Sequence, residues 1–303
     1  MRTLTGPLAA ALLLFTSISF AAPTDETYTL QIHRPRRAQD TYDVHNTILR
    51  VASGTSASAY HPELSSLNGR MFGDLTGRVQ VDQVDKQGQE VAVTLTIHHF
   101  LRSNGKDMIK PGTIIHILRK ADSVEFNGDK GAQVPDEARI LLEYIYPHLN
   151  PSQVTQDQAL GSTKPVKPGD SWEFNKEVAA KWLAGEGLTV KPKDLKGKVT
   201  FNGPDTSGAA KGIRVSTTLS ADNVTLENPF KKLIIEFAEM QFKLSTLLST
   251  DPVALPLVTE RVLEHTMHVS STTGTFKVEI KTQIVHKRVI TPVAKVSAAG
   301  NPG

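Results

Sequence analysis

The amino-acid sequence predicts a mainly β (α+β) fold: large curved antiparallel sheet built from two related halves, each covered by one or two short helices. Three observations predict it. Apolar and polar residues alternate with period two over several long stretches, as they do in strands with one buried and one wet face. Helical periodicity with proper end signals is confined to short segments. A hairpin-like stretch also occurs twice: DLTGRVQVDQVDKQG, from Asp74 to Gly88, aligns without a gap on DLKGKVTFNGPDTSG, from Asp194 to Gly208, the self-similarity of a repeated unit.

Residues 1–21, MRTLTGPLAAALLLFTSISFA, read as an export signal, with Arg2 as the positive start, Leu8 to Phe15 as the apolar run and cleavage near Ala21. The expected address is the periplasm or the medium beyond it. No later stretch approaches the ~20 apolar residues that a membrane helix needs. The chain has no cysteine, which excludes disulfides, thiolate metal ligands and thiol nucleophiles. With 34 basic and 31 acidic side chains it lacks the basic excess of a nucleic-acid binder, and the short clusters Arg34-Pro-Arg36-Arg37 and Lys231-Lys232 read as solvated loops.

The first half, residues 22–152, opens with Asp40-Thr41-Tyr42-Asp43-Val44. The segment Ser53 to Leu67 is rich in Ser and Ala and reads as irregular. Val79, Val81 and Val84 then lead into Asp85-x-x-Gly88. Aspartate bonds the amides ahead of it and glycine takes the positive φ that closes a hairpin. The return strand is Glu90 to Phe100, followed by short strands at Thr113 to Leu118 and Ser123 to Phe126. Pro135 to Tyr146 reads as a helix: proline at its start, Asp136 and Glu137 where the helix dipole favours acids, Ala138, Leu141, Leu142 and Ile145 on one face, and Pro147 as the stop.

Residues 153–169 read as a linking loop. The second half, 170–292, opens with Asp170-Ser171-Trp172-Glu173-Phe174, which matches the opening of the first in the order acid, hydroxyl, aromatic, acid, apolar. Trp172 and Phe174 are expected to begin a strand with both rings on one face. Asn175 to Ala184, carrying Trp182, is a second helix candidate. Strands follow at Gly212 to Leu219, at Leu233 to Leu248, where Ala238, Met240, Phe242 and Leu244 share a face and a helix is the competing reading, and over TFKVEIKTQIVHKRVI, where Phe276, Val278, Ile280 and Ile284 alternate with charged and polar residues. Residues 293–303 read as a disordered tail.

The chemistry-bearing candidates are few. LEHTMHV, residues 263–269, sets His265 and His268 behind Glu264. On a helix these could share a metal ion; on a strand the two imidazoles point to opposite faces. Val258, Thr259, Val262, Thr266 and Val269 favour the strand, although Pro256 and Glu264 stand one residue from the repeat positions of Pro135 and Glu143 and favour the helix. No nucleophile elbow, metalloprotease motif or phosphate loop appears, so no catalytic residue and no cofactor is assigned. Trp172, Phe174 and Trp182 are the candidate lining of a ligand site; packing as an aromatic plug is the competing reading.

KPVKPGDSWEF, residues 164–174, with the alternating strands after it, resembles a group of uncharacterised exported bacterial proteins with a Gly-Asp-Ser/Thr-Trp signature, a resemblance that spans the second half and implies no activity. The sheet is also similar, at the level of fold only, to the periplasmic lipoprotein carriers, whose unclosed barrel holds acyl chains. The expectation is an exported envelope protein with a non-enzymatic binding or carrier role, offering an apolar face of its sheet to a hydrophobic small molecule, a lipid or an envelope protein. The alternatives are a metal-dependent hydrolase built on His265, His268 and Glu264, and a structural or protein-interaction module working through an edge strand.

Overall fold

The computed structural model describes residues 26–54, 69–149, 154–185, 188–206, 210–226, 233–251, 254–271 and 277–293. The expected export signal, most of Ser53 to Leu67, Lys231-Lys232, Phe276 and nearly all of the expected tail lie outside these residues.

The alternating stretches of the described residues form strands, apart from the one expected at Trp172 and Phe174. The strands are β1 (Thr41–Gly54), β2 (Gly69–Val84), β3 (Glu90–Leu101), β4 (Ile114–Arg119), β5 (Val124–Gly128), β6 (Ser171–Trp172), β7 (Leu188–Thr189), β8 (Leu195–Asp205), β9 (Gly212–Leu226), β10 (Leu233–Leu248), β11 (Val258–Ser271) and β12 (Lys277–Pro292). They form one antiparallel sheet in the order β5-β4-β3-β2-β1-β12-β11-β10-β9-β8-β6, with β7 pairing β9 off this path. The first strand and the last therefore lie side by side, in register from Tyr42↔Pro292 to Gly54↔Ile280. The duplicated stretch forms the hairpin β2–β3 in one half and β8–β9 in the other. The hairpin chemistry is as expected at the first: the Gly88 amide donates to the Asp85 carbonyl, and Gly88 has φ 74°.

Helices cover one face. Helix α1 (Asp136–Ile145) buries Ala138, Leu141, Leu142 and Ile145 over Ile48, Leu75, Leu95 and Ile115 in one apolar core. The helix sits close because Gly73 lies beneath it: a Cβ there would stand 2.9 Å from Leu141 Cδ1. Helices α2 (Gln156–Leu160) and α3 (Lys176–Gly185) cover a second core that includes Val199, Phe201, Leu219 and Met240. The other face carries cross-strand ion pairs such as Arg78–Asp43 at 2.8 Å and Lys287–Glu260 at 2.9 Å, exposed pairs each contributing about 0–1 kcal/mol.

Four expectations are corrected. Residues 153–169 are not a plain loop: α2 forms there because Thr155 and Gln158 close a capping box, and Val166 bridges to Tyr28. Trp172 and Phe174 do not open a long strand; β6 has two residues, because Asn175 Oδ1 accepts from the Glu177 and Val178 amides and starts α3 at once. The segment ahead of β1 does not belong to the first half alone, since Leu30 and Ile32 pack in the second core. Nor are Arg34 and Arg36 in a solvated loop: Arg34 is 8% exposed, and the Arg36 side chain 13%.

Those last two corrections have one cause. Residues 28–39 form an arm across the covered face. Tyr28 pairs with Val166 and the Ile32 amide donates to Asp157 Oδ1, both within residues 153–169, and Arg34 donates to the Asp251 and Ser249 carbonyls of the second half at 3.0 and 3.3 Å. The arm then crosses to the first half, where His33 Nε2 donates to the Gln87 carbonyl and the Arg36 amide donates to that of Gly88. Gly88 serves both ends of this contact, because a side chain there would run into Pro35.

Candidate functional site

Where the two apolar cores meet, the covered face carries a row of polar residues. Register places Asn46, Arg288, Thr259 and Thr246 in one row across β1, β12, β11 and β10, and Ile48, His286, Arg261 and Leu244 in the next. The alternation along β12 that buries Ile280 and Ile290 thus also turns Thr282, His286 and Arg288 inward. Under the arm this polar seam opens into a cleft of about 240 Å³. Arg34, Arg36, Arg119, Arg261 and Arg288 line it together with His33 and His286; Ile32, Ile145, Leu244 and Ile290 supply apolar wall, and Glu90 is the one carboxylate in the lining.

Glu90 ties the cleft together. Its Oε1 accepts from Arg36 Nε at 3.1 Å and from the Tyr42 hydroxyl, and its Oε2 lies 4.0 Å from Arg288 Nη2. Burial pushes the Glu90 carboxyl up, but the guanidiniums of Arg288 and Arg36 and the Tyr42 hydroxyl hold it below the usual carboxylate value. Arg288 Nη2 donates to the Tyr42 hydroxyl at 2.8 Å. Arg119 is spent on the backbone, donating to the carbonyls of Pro147, Glu90 and His148. Among the described residues that line the cleft, four buried polar groups keep no protein partner: Arg34 Nε, Arg36 Nη1, Arg288 Nε and the Tyr146 hydroxyl. Burial, with Arg261 and Arg288 adding repulsion, lowers the His286 pKa to about 3, so the ring is neutral. Its Nε2 donates to Asn46 Oδ1 at 3.1 Å.

The residues singled out in the sequence lie elsewhere. Phe174 and Trp182 are buried in the second core, where Trp182 meets Phe242 edge-on at 6.0 Å between centroids, and Trp172 packs against the same cluster with Nε1 donating to the Leu160 carbonyl at 2.9 Å. None of the three lines the cleft. LEHTMHV is part of β11, so His265 and His268 point to opposite faces. His265 turns toward Met240 and Thr282 in a second cavity of about 370 Å³. Burial first, and Arg50 second, lower its pKa to about 4. His268, 4.0 Å from Glu279, and Glu264, which accepts from Gln283 at 2.7 Å, face the other way. Among the described residues no three His, Asp or Glu side chains converge as metal ligands. The adjacent His98 and His99 are both exposed, because the β2–β3 register shifts at Thr76/Gly77.

The cleft residues left a faint signal in the sequence. His286 and Arg288 fall on the even, inward positions of the clearest strand, and a charged residue at such a position marks an interior polar site. Glu90, Arg34 and Arg36 left no comparable signal, since their burial is created by the arm.

No family model matches this chain, and no curated protein matches it. Among solved structures, one described as lipid-protein interactions in lipovitellin is similar over 88% of this chain, with 6% identity and a TM-score of 0.33. The match covers 26% of that structure's chain, so this chain spans about a quarter of its length.

Proposed function

We propose that the protein is a non-enzymatic binding or carrier protein of the bacterial envelope, and that the cleft between its two cores holds the ligand. The observation that carries this reading is the interruption of the covered face: helices close each apolar core, while the strands between the cores are crossed by the arm and open beneath it into the cleft. A broad open apolar face, the expected ligand surface, is thereby narrowed to a cleft that combines an apolar wall with a polar seam, the composition of small-molecule sites. The ligand class that fits is small or amphipathic. His286 in the cleft is held neutral and bonded to Asn46, a fixed structural role that favours binding over catalysis. The edge-strand reading is weaker, since β5 and β6 are five and two residues long and such short edges discourage strand addition.

Native mass spectrometry of the protein purified from its own host tests this. Retention of a non-covalent adduct, released when the arm is displaced by mild denaturant, is the expected result. A chain that emerges at its bare mass, and whose Tm no member of an amphiphile and metabolite panel raises, would overturn it.

A further inference from the structure

We infer that the cleft is an anion site, built for an oxyanion of the phosphate class that accepts the unspent N–H donors of Arg34, Arg36 and Arg288. This deepens the binding reading above and rests on the cleft being the ligand seat.

The first argument is charge. Five guanidiniums line the cleft against one carboxylate, and Glu90 is shared between Arg36 and Arg288. Asp157 and Asp251 lie near Arg34, but Arg36 and Arg288 share a single carboxylate, and the excess positive charge of that buried pair is costly in a low-dielectric site and is offset by a bound anion. The second is donor accounting. Buried polar groups in folded proteins find partners almost without exception, and here three guanidinium N–H groups from two elements, the arm and β12, and the buried Tyr146 hydroxyl have none. Arg34 and Tyr146 are 8% and 1% exposed, which leaves bulk solvent little share in satisfying them. The third is chemistry: planar guanidinium forks match the geometry of phosphate and carboxylate oxygens, and several at once favour a group with three or four acceptors. Arg261, beside His286 on the neighbouring strand, adds a further cation at the wall of the same cleft. Size agrees, because about 240 Å³ admits an oxyanion headgroup and little more, so any acyl chain would leave along Ile32, Leu244 and Ile290 toward the cleft mouth.

The test uses the full chain and two probes, inorganic phosphate and dodecyl phosphate, with dodecyl maltoside as the neutral control, followed by calorimetry. The arginine Nε–H resonances in ¹⁵N NMR spectra of the unaltered protein report the same event without any substitution. The expected result is saturable binding of one phosphate group per chain, with shifted arginine Nε–H signals and an affinity that falls at least tenfold on Arg34→Gln or Arg261→Gln and not on Arg78→Gln. Phosphate alone sufficing identifies a free anion as the ligand; a requirement for the dodecyl chain identifies a lipid headgroup. Binding of dodecyl maltoside with equal affinity would overturn the anion assignment while keeping the binding role. Absence of binding by all three probes, with arginine signals unmoved, would overturn the anion site, whereas the binding role would then stand or fall on the mass measurement above.

Discussion

His286 is the residue at which the cost of this interior shows most directly. Its folded pKa of about 3 and that of His265, about 4, lie below the ordinary histidine value of 6.5, so each ring is neutral in the folded chain and takes a proton more readily once unfolded. Stability from both is therefore fully present above pH 6.5 and is lost as the pH falls toward 4 and then 3, each group costing about 1.4 kcal/mol per pH unit across its window. Urea midpoints at pH 7.0, 6.0 and 5.0 are expected to fall together, with a shallower fall in His286→Gln; an unchanged slope in that variant would mean that the ring is already protonated in the fold. Glu90 predicts the complementary loss. Its side chain is 6% exposed, and Glu90→Gln strips Arg36 and Arg288 of their shared carboxylate at a cost of about 3–5 kcal/mol, the usual cost of orphaning a buried charge. A denaturation midpoint within error of the unaltered protein would show that the two arginines are solvated after all. Gly88 stands at a third such point: Gly88→Ala meets both the positive φ and Pro35, so it should loosen the arm as well as the hairpin.

The arm and the strands differ in how far the sequence reveals them. Strand β10 runs from Leu233 to Leu248 as its alternation indicates, and α1 ends where Pro147 stops it, because period, caps and breakers are local quantities written in consecutive residues. The arm is harder to read. Tyr28, Leu30 and Ile32 alternate with Thr29, Gln31 and His33, but the run is too short to show what it packs against, and its burial arises from partners far along the chain, such as the Ser249 and Asp251 carbonyls that accept from Arg34, the latter 217 positions away. The aromatic cluster shows the intermediate case: Trp182 was legible on a helix, but whether it lines a cleft or fills a core depends on which strand it meets, here β10 through Phe242. The arm's hold on the second core is testable as an element. Ile32 is 3% exposed, and Ile32→Ala should cost about 2–4 kcal/mol by cavity formation, with proteolytic cleavage within residues 28–39 becoming at least tenfold faster than in the unaltered chain. Equal cleavage rates would mean that the arm is held by its backbone bonds alone.

At the scale of the whole molecule, the placement of the first and last strands decides how the halves communicate. Each half could have closed its own sheet, yet β1 and β12 pair along thirteen residues from Tyr42 to Gly54, and the cleft residue Arg288 and the buried core residue Tyr42, 246 positions apart, share a hydrogen bond across that seam. Two apolar cores joined by a continuous ladder and a buried polar network should unfold as one unit, because separating them exposes the ladder edges of β1 and β12 together with the charges beneath the arm. The chain supplies its own reporter for this. Its two tryptophans, Trp172 and Trp182, both belong to the second half, so their fluorescence is blind to direct changes in the first. Leu141 lies fully buried under α1 in the first core, and Leu141→Ala should cost about 3 kcal/mol, shifting Tm by about 6–12 °C for a domain of this size. If the molecule is one cooperative unit, the tryptophan transition moves by the same amount as the far-ultraviolet circular dichroism. A fluorescence transition that stays in place while the dichroism signal splits in two would show that the halves unfold independently, and that the cleft between them is a hinge between two stable bodies instead of a fixed pocket in one.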